Sequence, residues 1–169
     1  MNQSEFLKSV LPFKDKVFRL AKRFLVSTEE AEDATQELFL KLWKNKNKLG
    51  EYRNVEAFAM TMTKNYCFDR LKSKQASNLT LVHSNYKENN TSLDKRVEDD
   101  DTVTLVHKLM ENLPEQQKLI MQLRDIEQYD FEEICKMVHM KPTAVRVALS
   151  RARKTIRLEL IKQQNYGVS

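Results

Sequence analysis

The sequence predicts an all-α protein in which two small helical domains are joined by a flexible linker. Only 2 Gly and 3 Pro occur among 169 residues, which leaves few positions for the tight turns of a β protein. Apolar residues recur at three- and four-residue spacings in several segments, as they do on amphipathic helices. Between residues 76 and 101 the composition shifts to Ser, Asn, Thr and charged residues, which is typical of a linker. We therefore expect domains at residues 1–75 and 102–169, the second built from four helices.

Charge is unevenly distributed, although the net charge of +5 is modest. Residues 1–75 carry 15 basic and 10 acidic groups, residues 76–101 carry 3 and 6, and residues 102–169 carry 11 and 8. Two basic blocks therefore flank an acidic segment. No apolar run approaches the roughly 18 residues that cross a bilayer, and the N-terminal residues lack the apolar core of a signal peptide. We expect a cytoplasmic protein that does not insert into a membrane.

No pattern in the sequence predicts catalysis, a metal site or a cofactor. Cys67 and Cys135 are the only cysteines, and neither belongs to a C-x-x-C pair, so we interpret both as small buried hydrophobes. His83, His107 and His139 are scattered without the spacing of metal ligands. There is no Ser-His-Asp arrangement and no Gly-rich phosphate loop. The expectation is a protein that is not an enzyme and that binds neither metal nor cofactor.

The chain opens with a packing helix and a second helix that is more informative. Apolar residues at helical spacing over residues 5–25 predict the first helix, with an interruption near Pro12. Ser27 or Thr28 is expected to cap the second helix, because Glu29, Glu30 and Glu32 follow where the helix dipole favours acidic groups. The second helix is predicted to end where Gly50 can provide a left-handed cap.

The second helix has two different faces. Its core stripe is predicted to consist of Ala31, Ala34, Leu38 and Leu42, with Phe39 at the edge. On the far side, Leu40 lies in a polar field with Trp43 at its margin, and the field consists of Asp33, Gln36, Glu37 and Lys44. An apolar centre with a polar rim is the usual composition of a protein-binding surface. The alternative is that Leu40 and Trp43 pack against another helix of the same bundle.

A third helix is expected from residue 54 to about residue 74, buried on two faces. One apolar line is formed by Phe58, Met62 and Tyr66, and another by Met60, Cys67 and Leu71. Its C-terminal end carries Arg70, Lys72 and Lys74, preceded by Lys64. These cations suit the negative end of a helix dipole and would equally suit a phosphate backbone, and charge alone does not separate the two.

After the linker, two short helices lead into a helix-turn-helix. The first contains Val103, Val106, Leu109 and Met110 and ends near Asn112. Leu113 and Pro114 start the next, in which Leu119, Ile120 and Leu123 face inward. A capped helix then begins at about Phe131, because Asp130 can accept from the free N–H groups and Glu133 can complete a capping box. The break falls at residues 138–140, where His139 tolerates a turn conformation usually given to Gly, and Pro142 suits the first turn of a new helix.

The last helix is predicted to bury one side and to present a basic side. The core stripe is expected to be Val145, Ala148, Leu149, Ala152, Ile156 and Leu160. The opposite side carries Thr143, Arg146, Val147, Ser150, Lys154 and Arg157. Residues 141–162 hold seven Lys or Arg against the single acid Glu159. Such a surface suits phosphates and base edges, and the alternative is that it is only a solvated face.

Three segments in order resemble one family, the extracytoplasmic-function (group 4) sigma factors of bacterial RNA polymerase. AEDATQELFLKLW resembles the family's polymerase-binding helix, with its pattern at Asp33, Gln36, Glu37, Phe39 and Trp43. AFAMTMTKNYCFDRLKSK resembles the promoter-contacting helix that follows, with matches at Asn65, Asp69 and Arg70. The segment from Leu113 to Arg157, with SRAR at residues 150–153 near its end, resembles the C-terminal domain. The resemblance extends over nearly the whole chain.

The resemblance implies a protein that joins core RNA polymerase and directs it to a promoter. It implies docking on a coiled coil of the largest polymerase subunit by Asp33, Gln36, Glu37, Leu40 and Trp43. It implies that the loop at residues 48–54 and the next helix hold the melted −10 element and an extruded base, through Tyr52, Arg53, Asn54, Asn65, Asp69, Arg70, Lys72 and Lys74. It implies that the last helix enters the major groove of the −35 element, with base edges nearest Arg146 and Ser150, phosphates nearest Arg151, Arg153, Lys154 and Arg157, and Thr143 and Val147 beside them.

The resemblance also implies further partners and shows two departures. The C-terminal domain would contact the polymerase flap, and an anti-sigma factor would hold the protein inactive. Phe58 stands where the family often has Trp, and the Gly that the family often has in the turn is absent near His139. A stand-alone dimeric helix-turn-helix regulator would account for the last helix but would use the Leu40 and Trp43 surface only for dimerisation. A helical adaptor with solvated basic faces and an enzyme are the remaining classes, and binding to core polymerase separates all three from a sigma factor.

Overall fold

The structure is a computed structural model and describes residues 2–80 and 101–167. Every regular element in these residues is helical, which confirms the all-α fold class. The chain divides into two compact units, Met1–Asn85 and Tyr86–Ser169, and each has its own core. Most of the predicted linker, residues 81–100, lies outside the described residues. The predicted domain boundaries therefore stay a prediction.

The described residues of the first unit, 2–80, form five helices and a short 3₁₀ segment. These are α1 (Gln3–Val10), the 3₁₀ segment (Leu11–Phe13), α2 (Lys14–Leu25), α3 (Thr28–Lys44), α4 (Lys46–Leu49) and α5 (Val55–Thr80). The interruption near Pro12 is confirmed, because Pro12 lies in the 3₁₀ segment between α1 and α2. Ser27, and not Thr28, is the cap of α3, and its side chain accepts from the backbone N–H of Glu30 at 3.4 Å.

The core of the first unit forms where α2 packs against α3 and α5. The predicted stripe of α3 is confirmed, since Ala31, Ala34, Leu38 and Leu42 are buried and Phe39 is half-buried. Helix α5 is covered on both predicted sides, with Met60 and Cys67 buried and Phe58, Met62, Tyr66 and Leu71 half-buried. The ring of Phe24 on α2 meets that of Phe68 edge-on at 5.2 Å between centroids.

Two predicted helix ends in the first unit are wrong. Gly50 does not form a left-handed cap, because its φ of −64° and ψ of −18° are right-handed helical. Helix α3 ends earlier, at Lys44, where the Lys41 carbonyl accepts from both the backbone N–H of Asn45 at 3.1 Å and its side-chain amide at 3.0 Å. Helix α5 continues to Thr80, beyond the predicted end near Lys74, because no Gly or Pro lies between residues 75 and 80 to stop it.

The second unit contains the four predicted helices and one element that the sequence did not suggest. They are α6 (Asp101–Glu111), α7 (Glu115–Met121), α8 (Phe131–Val138) and α9 (Pro142–Gly167). A π-helical segment, Gln122–Ile126, follows α7 directly. The buried side chains of Gln122 and Glu127 are joined there by a hydrogen bond of 3.0 Å. Helix α9 has 26 residues and packs on α6, α7 and α8.

The helix-turn-helix has the predicted N-cap, the predicted turn conformation and the predicted start of its second helix. Asp130 Oδ1 accepts from the backbone N–H of Glu133 at 2.8 Å, and α8 begins at Phe131. His139 is left-handed, with φ of 56° and ψ of 48°, so the histidine adopts the conformation that a glycine would use. Pro142 is the first residue of α9. The core stripe of α9 is confirmed, because Val145, Leu149, Ala152 and Ile156 are buried and Ala148 and Leu160 are half-buried.

The two cysteines differ, and no membrane or metal feature is found in the described part of the chain. Cys67 is buried as expected, but Cys135 is half-exposed, because the inward side of α8 is taken by Ile134 and Met137. No helix formed by residues 2–80 or 101–167 has the length and apolar character needed to cross a membrane. Within those same residues, no three His, Cys, Asp or Glu side chains are grouped as a metal site would require.

Candidate polymerase and DNA interfaces

The outer face of α3 presents an exposed leucine among polar side chains. Leu40 is 58% exposed, and Asp33, Gln36 and Glu37 on the same helix are also exposed. Leu40 therefore does not pack within its own unit, which removes the alternative that it belongs to the bundle. An exposed aliphatic side chain with a polar surround can still bury its apolar area against a partner.

Trp43 behaves differently from Leu40. Its ring lies edge-on to Phe6 of α1, with 5.1 Å between the centroids and an interplanar angle of 71°. The ammonium of Lys46 lies 3.6 Å from the centre of the indole ring. Trp43 is half-buried and holds α1 against α3, so it contributes to the fold of the unit as well as to its surface.

A largely apolar groove of about 450 Å³ lies between α1 and α3. Leu7 and Leu11 are 41% and 55% exposed, and both line this groove. Sequence reasoning missed them because they lie off the apolar stripe of the first helix, and that displacement was the available signal. The groove shares three residues with the outer face of α3, and its lining consists of Phe6, Leu7, Val10, Leu11, Lys14, Thr35, Gln36, Phe39, Leu40 and Trp43.

An exposed aromatic ring lies just before α5. Tyr52 is 40% exposed and stacks on Phe58, with 4.2 Å between the centroids and 16° between the planes. Phe58, the residue that departs from the family pattern, therefore backs the Tyr52 ring directly. Asn54 caps α5, because its Oδ1 accepts from the backbone N–H of Ala57 at 3.0 Å. Arg53 between them is exposed.

Helices α3 and α5 enclose a polar cleft of about 390 Å³. The cleft brings together three of the residues expected at the −10 element, Asn65, Asp69 and Arg70, and sequence reasoning missed the others that line it, Leu38, Lys41, Met62, Tyr66 and Ser73. The ammonium of Lys41 lies 5.8 Å from the centre of the Tyr66 ring. Burial raises the pKa of the Tyr66 hydroxyl, and the neighbouring Arg70 guanidinium opposes that rise.

The two lysines near the end of α5 have different surroundings. Lys72 is exposed. Lys74 points to α3, where its Nζ lies 2.5 Å from Oε2 of Glu30. The structure thus gives Lys74 a partner inside the unit and leaves it apart from the residues of the polar cleft.

The outward side of α9 is as basic as the sequence suggested. Exposed side chains on it are Thr143, Arg146, Val147, Ser150, Arg151, Lys154 and Arg157. A cleft of about 370 Å³ runs along this side, and its lining is Phe131, Arg146, Leu149, Ser150, Arg153, Lys154 and Arg157. The core stripe of α9 is buried on the other side, so these cations are free to face a ligand.

Arg153 is the exception among the basic residues of α9. Its Nη2 lies 2.5 Å from Oδ1 of Asp125, and its Nε lies 3.1 Å from Oδ2. The hydrogen bonds to Asp125 raise the pKa of the Arg153 guanidinium. This two-pronged pair joins α9 to the π-helical segment, so Arg153 has a structural partner in addition to its expected role at phosphate.

Phe131, which sequence reasoning named only as a helix start, lies near two guanidinium groups. The guanidinium carbon of Arg124 is 4.4 Å from the ring centre, and that of Arg146 is 5.2 Å from it. Nη1 of Arg124 also donates to the backbone carbonyl of Tyr129 at 2.9 Å. An aromatic residue at the start of α8 was the only sign of this cluster in the sequence.

A helical unit with an uncovered leucine on α3 and a second unit with a basic helix-turn-helix are the composition expected of a DNA-binding protein that also docks on another protein. Residues 10–77 match the family model described as sigma-70 region 2, and residues 104–156 match that of sigma-70, region 4. The RNA polymerase sigma-H factor of Pseudomonas aeruginosa is 28% identical over 161 residues, which cover 87% of this chain and 81% of that protein.

Other relatives agree with these matches. The ECF RNA polymerase sigma factor SigW of Bacillus subtilis is 24% identical, over 94% of this chain and 90% of that protein. The ECF RNA polymerase sigma-E factor of Escherichia coli K12 is 25% identical, over 92% and 86%. The fold is shared with the sigma factor RpoE, solved in complex with the anti-sigma factor NepR from Bartonella quintana, at a TM-score of 0.72 and 18% identity, over 94% of this chain and 97% of that one.

The chain belongs to the sigma-70 family of RNA polymerase sigma factors, in its extracytoplasmic-function group. It is a transcription initiation factor that binds core RNA polymerase and directs it to promoters.

Proposed function

We propose that the two units of this sigma factor contact the polymerase and the promoter through the surfaces described above. The first unit docks on the coiled coil of the largest subunit and holds the melted −10 element, and the second reads the −35 element. The observation that carries this proposal is the outer face of α3, where Leu40 is 58% exposed among Asp33, Gln36 and Glu37. A regulator that never binds polymerase would use such a surface only for dimerisation.

Polymerase docking is proposed to involve the outer face of α3 and the groove beside it. Gln36, Leu40 and Trp43 belong to both surfaces, so a helix lying on α3 would also cover Leu7 of α1 and Leu11 of the 3₁₀ segment. The groove is mainly apolar, and Asp33 and Glu37 next to it are acidic. An amphipathic helix with an apolar stripe and a basic edge, such as one helix of a coiled coil, has the matching chemistry.

The −10 element is proposed to bind at the start of α5 and in the polar cleft. Tyr52 offers an exposed ring already stacked on Phe58, which is a suitable platform for an unstacked base. The cleft supplies amide, carboxylate and guanidinium groups from Asn65, Asp69 and Arg70, which can pair with base edges. Asn54 is occupied as a helix cap and Lys74 is paired with Glu30, so we expect smaller contributions from both.

The −35 element is proposed to accept α9 in its major groove. Arg146 and Ser150 lie next to each other in the basic cleft and would meet base edges. Arg151, Lys154 and Arg157 are exposed cations that would meet phosphates. Thr143 and Val147 complete this side of the helix, and Val147 is 42% exposed, as a contact to a thymine methyl would need.

Further partners follow from the relatives. The RpoE neighbour was solved with an anti-sigma factor, and we expect such a partner for this chain, as well as contact between its second unit and the polymerase flap. Sigma factors initiate transcription without being enzymes, and we expect this chain to act in the cytoplasm without a metal or cofactor.

Run-off transcription tests the proposal as a whole. Core RNA polymerase would be mixed with the full chain and with fragmented genomic DNA, and the transcript starts would be mapped. We expect initiation at a small set of sites that share two sequence blocks. If the chain bound DNA as a dimer and left the start sites of core enzyme unchanged, the stand-alone regulator would be the better assignment.

A further inference from the structure

Phe131 joins three elements of the second unit at the basic cleft. It is the first residue of α8, and its ring is in contact with Arg124 from the π-helical segment and with Arg146 from α9. Guanidinium groups at 4.4 and 5.2 Å from the ring centre are within the range of cation–π attraction. The Phe131 ring thus attracts two guanidinium groups, although their like charges repel each other.

The two arginines are not equally fixed. Arg124 is held by its hydrogen bond to the Tyr129 carbonyl at 2.9 Å. Arg146 is exposed on α9 and has no ion-pair partner within residues 2–80 and 101–167. Ordering a long side chain on binding costs conformational entropy, and a side chain that already rests on a ring has less of it to lose. Phe131 is therefore the contact that restricts where the Arg146 guanidinium lies.

We infer that Phe131 is a positioning residue for −35 recognition, because its ring holds Arg146 ready for a base edge. The inference rests on the proposed function, in which Arg146 reads the major groove. A planar guanidinium pairs with O6 and N7 of guanine only when its plane is correctly oriented, and an aromatic ring constrains both its position and its tilt. Arg146 lies beside Ser150 in the cleft. Because arginine pairs with O6 and N7 of guanine, guanine is the base expected opposite Arg146.

The other cations of the cleft do not depend on Phe131. Arg153 is held by Asp125, and Lys154 and Arg157 extend from later turns of α9. The only α9 cation in contact with the Phe131 ring, among the described residues, is Arg146. Removing the ring should therefore weaken the reading of sequence and leave the attraction to phosphate almost unchanged.

The experiment compares variants of the full chain bound to core polymerase. The specific probe is the duplex that the wild-type holoenzyme enriches from a random pool, and the second probe is the unselected pool. Phe131→Leu keeps an apolar side chain without the ring electrons, and Phe131→Tyr keeps the ring. We expect Phe131→Leu to weaken binding to the enriched duplex about two- to five-fold, which matches the strength of an exposed cation–π contact. Binding to the unselected pool should change less than about two-fold, and Phe131→Tyr should resemble wild type.

A double-variant cycle with Arg146→Ala separates positioning from general packing. In the Arg146→Ala background, Phe131→Leu should cost nothing further on the enriched duplex. The inference is overturned if Phe131→Leu weakens both probes equally, or if its cost persists without Arg146. If Arg146→Ala alone leaves the preference for the enriched duplex intact, the proposed base contact of Arg146 is wrong, and positioning through Phe131 is excluded with it. Circular dichroism of each variant shows whether the helices are retained.

Discussion

At the scale of single residues, the basic side chains of α9 divide into two groups that charge alone does not distinguish. Arg146, Lys154 and Arg157 line the cleft without a carboxylate partner in the described residues, whereas Arg153 forms two hydrogen bonds with Asp125. A guanidinium that is already paired gives up part of that pairing if it turns to a phosphate. Arg153 should therefore contribute more to the stability of the fold, and Lys154 should contribute more to DNA affinity.

Replacing Arg153 and Lys154 by methionine tests this division. Arg153→Met should lower the free energy of unfolding by about 0.5–1 kcal/mol, because the ion pair that it removes is partly exposed. Lys154→Met should leave stability nearly unchanged and should weaken holoenzyme binding to all duplexes, with a shallower salt dependence. Thermal unfolding and binding at several salt concentrations measure the two effects. Equal losses of DNA affinity with no change in stability would show that the Asp125 pair is not the main role of Arg153.

The two cysteines should differ in reactivity. Burial raises the pKa of the Cys67 thiol from 9.0 to about 12, so almost no thiolate exists near neutral pH in the folded protein. Cys135 is half-exposed. We expect iodoacetamide at pH 8 to label Cys135 well before Cys67, as followed by peptide mass spectrometry, and urea to abolish the difference.

The raised pKa of Cys67 also sets the sign of a pH effect. The folded state holds the thiol proton more tightly than the unfolded state, so this residue stabilises the fold below pH 9 and loses that contribution as pH rises from 9 to about 12. Cys67→Ala should unfold with a shallower decline of stability over that range than wild type. Identical declines would show that the thiolate is not excluded from the core.

At the scale of elements, α3 combines a fully buried stripe with an outer face that its own unit leaves uncovered. Packing within the unit and binding to a partner need different residues. Leu40 is exposed and suits only the partner, whereas Trp43 also packs on Phe6. Substitution of Trp43 would therefore disturb α1 and confuse a binding measurement. Leu40 is the cleaner probe of the surface.

Leu40→Ala should weaken the complex with core polymerase by about 1–2 kcal/mol, roughly ten-fold, without measurable loss of stability. Leu11→Ala in the neighbouring groove should cause a smaller loss if the docking helix also covers that groove. Leu158→Ala is the matched control, since Leu158 is exposed to a similar degree on another surface. Competition against wild-type chain for core polymerase measures all three. Unaltered competition by Leu40→Ala would exclude this face of α3 from the interface.

At the scale of the whole molecule, the presence of two units, each with its own core, predicts that each unit folds independently when it is expressed alone. Each unit has its own set of buried apolar residues. We expect residues 1–80 and 101–169, expressed apart, to be helical by circular dichroism and to melt cooperatively. A mixture of the two should not restore initiation, because joining two contacts in one chain raises their effective concentration. If either piece were unfolded alone, the division into two domains would be wrong.

The sequence by itself determined the helical class, the order of the main helices and most of the positions at which they begin. Helical periodicity and capping residues are local signals, so Asp130, His139 and Pro142 could be placed without tertiary information, and the cap of α3 could be narrowed to Ser27 or Thr28. The stripes of α3 and α9 were predicted correctly for the same reason, because a helix that buries one side records that side in its sequence. The family resemblance rests on such local patterns, and the comparisons confirm it.

Only the tertiary structure decided which exposed or charged side chains already have partners. Lys74 pairs with Glu30, 44 positions away along the chain, and Arg153 pairs with Asp125, 28 positions away. The edge-on contact between Trp43 and Phe6 and the contacts of Arg124 and Arg146 with the Phe131 ring also join residues of different helical elements. These contacts depend on how the helices pack and on the π-helical segment before α8. The spacing of apolar residues in the sequence predicts neither. The physical reason is that the position of a residue in the helical repeat fixes the direction of its side chain. Its partner depends on which residue of another helix packs at that position, and helix packing is a property of the tertiary structure.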